Sequence, residues 1–323
     1  MTEFNIDTTA NDIVKVFGRH AAGKTFVVTG PSAGGLGATA AIALASASPK
    51  RIILAGRTQS KALPTIDEIS KASNGKTIAT FVEVDLSSLA SVRAAVPKIR
   101  EAAPDGIDSL LNNAGIMAPR EFKKSVDGVE EQFAANHLGH FLLTNLLISD
   151  IAKVKGVVAN VTSRAWALTD PNYDDVNFGD GKTYNGWIGY ARSKIANIHF
   201  SVALAKRVKK LGIAVFAVDP GMALESNLIK TSGVDDAWFA EGFRIASERN
   251  NGVPPTQPVI SLQQGAASGT LALLNPALRE SSGSYIEESQ IADDKIASYA
   301  KDPVISEKLW EVSEKLIGEK FTI

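Results

Sequence analysis

Tyr190 and Lys194 stand four residues apart in Tyr190-Ala191-Arg192-Ser193-Lys194, a spacing that puts both on one face of a helix. A free phenol titrates near pH ~10. An ammonium beside it favours the phenolate and eases proton exchange near neutral pH. Ser163 closes the apolar run Gly156–Val161 through Thr162 and so stands at a strand's carboxyl end, where open parallel sheets bind ligands. The competing readings are an exposed surface pair for Tyr190 and Lys194 and a cap or turn residue for Ser163. Of the five tyrosines, Tyr190 alone has a lysine four residues on, which favours the chemical reading.

A second constellation points to a phosphate ligand. The first apolar run leads directly into Thr29-Gly30-Pro31-Ser32-Ala33-Gly34-Gly35-Leu36-Gly37, and an alanine-rich helical stretch follows. A strand, a glycine turn and a helix in that order aim backbone N–H groups and a helix N-terminus at a pyrophosphate. The second run ends at Leu54-Ala55-Gly56-Arg57-Thr58, the place that faces an adenosine ribose in dinucleotide folds. An acid there would bind the 2′-hydroxyl of NAD. Residues 54–66 contain none, and Arg57 stands in its place with Lys61 nearby. A cation suits the 2′-phosphate of NADP. The bland alternative is a solvated arginine at a strand end.

These residues need a frame, and the alternation of patterns supplies one. Lys24–Thr29, Arg51–Leu54, Thr77–Val84, Ile107–Leu111, Gly156–Val161 and Ile213–Val218 read as strands apolar on both sides, with a last strand around Gly283–Glu287. Helical stretches lie near 36–47, 59–73, 88–102, 127–152 and 187–211. Repeated βα units predict an α/β fold: one Rossmann-type, doubly wound parallel sheet with helices on both faces. No linker splits the chain, so 1–323 reads as a single dinucleotide-binding catalytic domain with its core at about 24–290. Residues 1–22 read as a polar lead-in. Residues 222–256 interrupt the pattern and read as an irregular substrate lid. Residues 289–323 read as a helical extension packed on the domain, with an oligomer contact as its rival use.

Composition excludes whole classes. The chain has 323 residues, 45% hydrophobic, with 34 basic against 35 acidic residues and a net charge of −1, no basis for binding nucleic acid. Zero cysteines exclude disulfides, thiolate catalysis and Cys-ligated zinc. Four histidines with no HExxH pattern predict no metal site. No apolar stretch approaches the ~20 residues of a membrane span, and the first twenty residues have no secretory pattern. The expected setting is the cytoplasm.

The remaining motifs fall in an order that resembles the short-chain dehydrogenase/reductase family. They are Asp85-Leu86 after the third strand, Asn112-Asn113-Ala114-Gly115 after the fourth, Asn136 in the next helix, Val161-Thr162-Ser163, Tyr190-x-x-x-Lys194, and Pro220-Gly221 after the sixth strand. Asn136 shares a helical stripe with Val129 and Phe133 and should point inward, with a structural hydrogen bond as the alternative to a catalytic role. His137 and His140 read as core or surface histidines. The long interval from Ser163 to Tyr190 resembles the retinol-dehydrogenase-like branch.

The resemblance implies a cofactor site built from Gly30, Ser32, Gly35, Leu36, Gly37, Arg57, Asp85, Leu86, Asn113, Ala114, Gly115, Tyr190, Lys194, Pro220 and Gly221. It implies Asn136, Ser163, Tyr190 and Lys194 as catalytic. In carbonyl reduction, nicotinamide delivers hydride, Tyr190 donates the proton, and Ser163 hydrogen-bonds the reacting oxygen. Lys194 orients the ribose, and Asn136 holds a water. Two departures stand out: the glycine turn is one residue longer than the family's TGxxxGxG, and Glu225 with Ser226 stands where a threonine usually follows Pro-Gly. The expected activity is NADP(H)-dependent interconversion of a ketone or aldehyde and an alcohol on a bulky, mostly apolar small molecule. A catalytically silent dinucleotide sensor and a sugar-nucleotide epimerase or dehydratase are the alternatives.

Overall fold

The computed structural model describes residues 4–323. Eight strands form one sheet in the order β3-β2-β1-β4-β5-β6-β7-β8. They are β1 (Thr25–Thr29), β2 (Arg51–Gly56), β3 (Ile78–Glu83), β4 (Ser109–Asn112), β5 (Val157–Val161), β6 (Ala214–Val218), β7 (Tyr285–Glu287) and β8 (Gln290–Ile291). All neighbours through β7 pair in parallel, and β8 alone runs antiparallel. Every residue of β1, β5 and β6 is buried. Their two-sided apolar character follows from helices covering both faces.

The helices are α1 (Ala10–Phe17), α2 (Leu36–Ala45), α3 (Gln59–Ala72), α4 (Leu89–Ala102), α5 (Glu131–Phe133), α6 (Gly139–Ala152), α7 (Gly186–Val208), α8 (Asn227–Ser232), α9 (Asp236–Arg249), α10 (Leu262–Gly265), α11 (Ala267–Leu274) and α12 (Pro303–Ile317). One core joins the sheet to α4, α6, α7 and α12; the other joins it to α1, α2, α3 and α11. The chain winds outward from β1 to β3, then returns to place β4 on the other side of β1. That reversal opens a crevice at the carboxyl ends of β1 and β4, between the glycine turn and Asn112-Asn113-Ala114-Gly115.

Two expectations need correction. The lead-in is not merely polar: Thr9 caps α1 through a reciprocal capping box with Asp12, and Ala10 and Ile13 are fully buried. Residues 1–3 of that lead-in lie outside those described. Residues 222–256 are not irregular either, because they fold into α8 and α9. Asp235 starts α9 by accepting from the Trp238 N–H, a cap that a search for apolar residues and glycines overlooks. The tail behaves as its spacing predicts: Leu309 and Trp310 of α12 are buried, and Trp310 meets the Phe141 ring at 4.8 Å.

Buried histidines fasten this tail. His137 Nε2 pairs with Ser313 Oγ at 2.8 Å. His199 Nε2 donates to the Tyr299 carbonyl at 2.8 Å, so its Nδ1 accepts from the Tyr173 hydroxyl at 2.6 Å. Burial pushes His137 down to about 3 and His199 down to about 4. Each therefore binds a proton more readily unfolded than folded, and the stability this confers is whole above pH ~6.5 and is lost as pH falls toward 4. Replacing His199 with glutamine should flatten the fall of melting temperature between pH 6.5 and 4.5. A variant with an unchanged slope would show that His199 does not carry this dependence.

Candidate functional site

The glycine turn and the Asn112–Gly115 turn interlock. Thr29 Oγ1 accepts from the Asn113 N–H at 2.9 Å and the Ala114 N–H at 3.0 Å, while Asn113 Nδ2 donates to Thr29 O at 2.9 Å. His140, buried beneath them, pairs with Thr29 Oγ1 at 2.9 Å and with Asn136 O at 3.0 Å, which gives this core histidine a clear structural task. A Cβ on Gly37 would lie 2.5 Å from Asn113 Nδ2, and one on Gly30 would lie 2.9 Å from Ala114 Cα. Gly30 also has φ +70°. Glycine is thus required for the two turns to pack this closely. Gly35 caps α2 without a side-chain cap bond, so the first backbone amides of the helix are of the kind that fit the pyrophosphate of a dinucleotide.

The extra residue of the turn is accommodated by a distant partner. Gly34, at φ +76°, turns its carbonyl to the Asn227 N–H at 2.9 Å, and the Asn227 side chain donates to Ala33 O. The Ala33 N–H donates to Lys61 O at 3.2 Å, and Thr65 Oγ1 donates to Pro31 O at 2.9 Å. The lengthened turn is therefore pinned between α3 and the start of α8. Ser32 and Leu36 remain partly exposed on this turn. Asn227 was not among the residues singled out in the sequence, and a separation of 194 positions leaves no local signal for it.

Farther along the crevice, Arg57 is exposed beyond β2 and has no hydrogen-bond or ion-pair partner among the described residues. Asp85 is half-buried; its Oδ1 accepts from the Ser87 N–H at 2.9 Å and Oγ at 2.7 Å, leaving Oδ2 without a local partner. Leu86 closes over α6: a Cβ on Gly139 would lie 2.1 Å from Leu86 O.

Ser163, Tyr190, Lys194 and Asn136 gather around the carboxyl end of β5. Asn185 caps α7 by accepting from the Trp187 N–H at 2.9 Å, which starts the helix one turn before Tyr190. Thr162 Oγ1 donates to Lys194 O at 2.7 Å and ties α7 to β5. Ser163 Oγ accepts from the Ala165 N–H at 3.2 Å, which is the cap reading of Ser163. Its hydroxyl also faces the Tyr190 phenol, where it favours the ionised form. Burial outweighs it, and the phenol is pushed well above its ordinary value. Lys194 Nζ donates to Val161 O at 3.2 Å and lies 5.5 Å from the centre of the Tyr190 ring. Burial pushes this ammonium down to about 8.

Asn136 points inward as its stripe predicts, within a widened helical turn over Ala134–Leu138. Its Oδ1 accepts from the Ile116 N–H at 2.8 Å, and its Nδ2 donates to Ile116 O at 3.0 Å and Ser193 Oγ at 2.9 Å. A water would find only its second Oδ1 lone pair. A Cβ on Gly115 would come 3.1 Å from Asn136 Oδ1 and 3.6 Å from Lys194 Nζ. Pro220 and Gly221 follow β6, with Gly221 at φ +75°. Glu225 is committed elsewhere, accepting from the Leu262 N–H at 2.9 Å, and Ser226 is buried at the start of α8.

The short chain dehydrogenase family profile matches residues 24–174. Human retinol dehydrogenase 13 is 33% identical over 92% of this chain and 85% of its own length. The chain belongs to the short-chain dehydrogenase/reductase family. Within this family it falls in the retinol-dehydrogenase-like branch. Short-chain dehydrogenase TIC 32 A of Brassica napus is 31% identical over 91% of the chain and 88% of its own length. A crystal structure of an uncharacterised protein from Mycobacterium paratuberculosis has a TM-score of 0.67 at 27% identity, covering 94% of this chain and 96% of that one. As a member of this family the protein is an oxidoreductase that uses a nicotinamide dinucleotide. Among the described residues no helix is long and apolar enough to cross a membrane.

One charged group at this short-chain dehydrogenase site escaped the sequence reading. Asp219, immediately before Pro220, is buried with Tyr285 and Glu287 of β7 and packs near Arg164, which pairs with Glu287 and Glu288. An acid ending an otherwise wholly apolar strand was the available signal.

Proposed function

We propose that the protein interconverts a ketone or aldehyde with its alcohol, using NADP(H), on a bulky and largely apolar small molecule. The observation that carries this reading is the meeting of the Ser163 hydroxyl, the Tyr190 phenol and the Lys194 ammonium at the open end of β5. A bound nicotinamide dinucleotide supplies or accepts the hydride. In the reducing direction Tyr190 gives its proton to the substrate oxygen, while Ser163 donates a hydrogen bond that favours the developing negative charge. Burial keeps the proton on Tyr190 at neutral pH, which suits a donor. Lys194 holds the cofactor ribose, and Asn136 fixes the Gly115–Ile116 loop against α7. A silent sensor would have no use for the proton donor. A cofactor-consumption assay over a panel of carbonyls tests the proposal, and binding without turnover on any member would count for the sensor.

Arg57 supports the choice of NADP(H), because an exposed guanidinium without a partner among the described residues is free to grip a 2′-phosphate. A charge-assisted contact of this type contributes about 1.5–3 kcal/mol, so NADPH should bind roughly ten- to hundredfold more tightly than NADH. Arg57→Ala should remove most of that preference in paired titrations. Equal affinity of the unaltered protein for the two cofactors would defeat the assignment.

The apolar substrate is supported by what lies over Tyr190. Leu228, Ile229, Trp238 and Phe239 of α8 and α9 pack in one cluster with Met117, Leu168, Trp187 and Tyr190. Trp187 Nε1 donates to Trp238 O at 2.6 Å, and Trp238 Nε1 donates to Ala118 O at 2.8 Å. Leu224 and Phe243 of the same segment stay exposed, so α8 and α9 can act as a lid with apolar surface to offer. Amide exchange across 222–256 should slow when cofactor and substrate are both bound. Identical protection with and without them, or a clear preference for small charged carbonyls, would sink the lid.

A further inference from the structure

Lys194 is only 2% exposed, its Nζ has one hydrogen bond, to a neutral carbonyl, and it forms no ion pair among the described residues. A buried ammonium in that position needs a negative charge nearby to remain charged. Asp219 is the carboxylate the topology brings there. Val218 is in register with Val161, whose carbonyl holds Lys194 Nζ, and the Thr162 N–H donates to Val218 O at 2.9 Å. Asp219 is thus the next residue on the strand beside Thr162, the residue that anchors α7 through Lys194 O. Its side chain is 1% exposed and fixed in place, with Oδ1 accepting from the Gly221 N–H at 2.7 Å and Oδ2 from the Tyr285 hydroxyl at 3.0 Å.

We infer that Asp219 supplies the buried negative charge that balances the Lys194 ammonium, and is thereby a positioning residue for proton transfer at Tyr190. The inference rests on the catalytic reading above and deepens it. The charged and titratable groups around Asp219 are Arg164 after β5, Tyr285 and Glu287 on β7, Glu288 in the turn beyond, and Tyr190 and Lys194 on α7. Arg164 is already paired with Glu287 and Glu288. Burial and the charge of Glu287 raise the Asp219 carboxyl to about 6, while the Gly221 and Tyr285 bonds and Arg164 oppose them. Asp219 is therefore ionised above pH 6, and its charge holds the Lys194 ammonium up against burial. Between about 6 and 8 both groups are charged.

The test is the pH profile of kcat/KM for Asp219→Asn. Asparagine keeps an oxygen acceptor for the Gly221 N–H and removes the charge, with its amide N–H donating to the Tyr285 oxygen in place of the bond the carboxylate accepted. Its alkaline limb should move down by about one pH unit, so the loss at pH 8 should be about fivefold greater than the loss at pH 6. Asp219→Glu, which restores a carboxylate, should return the limb toward its original position. An equal loss at every pH would reduce Asp219 to a support of the Pro220–Gly221 turn, and an unmoved limb with full activity would also overturn the inference. Should the asparagine variant fail to fold, the unaltered protein decides: carbon NMR of labelled aspartate must find Asp219 ionised at pH 7.5, and a protonated carboxyl there overturns the proposal. Lys194→Met separates the two levels. If it keeps normal turnover the catalytic reading itself is wrong, whereas an essential Lys194 with an unmoved Asp219→Asn limb removes this inference alone.

Discussion

Tyr190→Phe is expected to lower turnover by about 10²- to 10⁴-fold while leaving cofactor affinity almost unchanged. The ring is 5% exposed and meets Trp187 edge-on at 6.4 Å, so phenylalanine preserves the packing and removes one hydroxyl. That hydroxyl is the group proposed to give the proton, with Ser163 facing it. Burial pushes the phenol upward, so the acid form persists through neutral pH, as carbonyl reduction requires. Single-turnover measurement with bound cofactor isolates the chemical step. Near-normal turnover of the variant on a confirmed substrate would refute the assignment of Tyr190.

Gly139→Ala is expected to destabilise the protein by about 3 kcal/mol and to weaken dinucleotide binding at the same time. An added Cβ would sit 2.1 Å from the Leu86 carbonyl oxygen and 2.9 Å from its Cβ, so the backbone after β3 would have to retreat. Flexible side-chain ends cannot relieve a clash with a carbonyl. The family resemblance assigns Asp85 and Leu86 to the cofactor site, so the same displacement should reach the cofactor. Gly269→Ala in α11 is the matched control: its Cβ would meet only Leu111 Cδ1 at 3.5 Å, and its stability should change by less than about 1 kcal/mol. Chemical denaturation and NADPH titration of both variants give the comparison. Equal stability of the two would mean that α6 does not need its close approach to the β3–α4 turn.

The strands, the doubly wound sheet and the family were legible because their causes are local. Parallel strands buried on both faces write themselves as apolar runs, and glycines after β1 or a lysine four residues after a tyrosine report turn and helix geometry within a few positions. The helical structure of 222–256 was missed for a physical reason: α8 and α9 leave most of their residues partly or fully exposed, so their pattern carries little apolar periodicity. The capped start of α1 shows the opposite error, in which a polar composition hid Ala10 and Ile13, two side chains that the sheet's helices enclose.

What the sequence determined by itself was which chemical groups the site contains and the order in which the elements carry them. Only the tertiary structure decided how those groups see one another. It set Lys194 Nζ on Val161 O, filled the space above Gly37 with the Asn113 amide, bound Asn227 to a turn 194 positions away, and buried Asp219 between β7 and the end of β5. Electrostatics and close contact depend on distance in space, and strand order and register fix that distance only after the chain has folded.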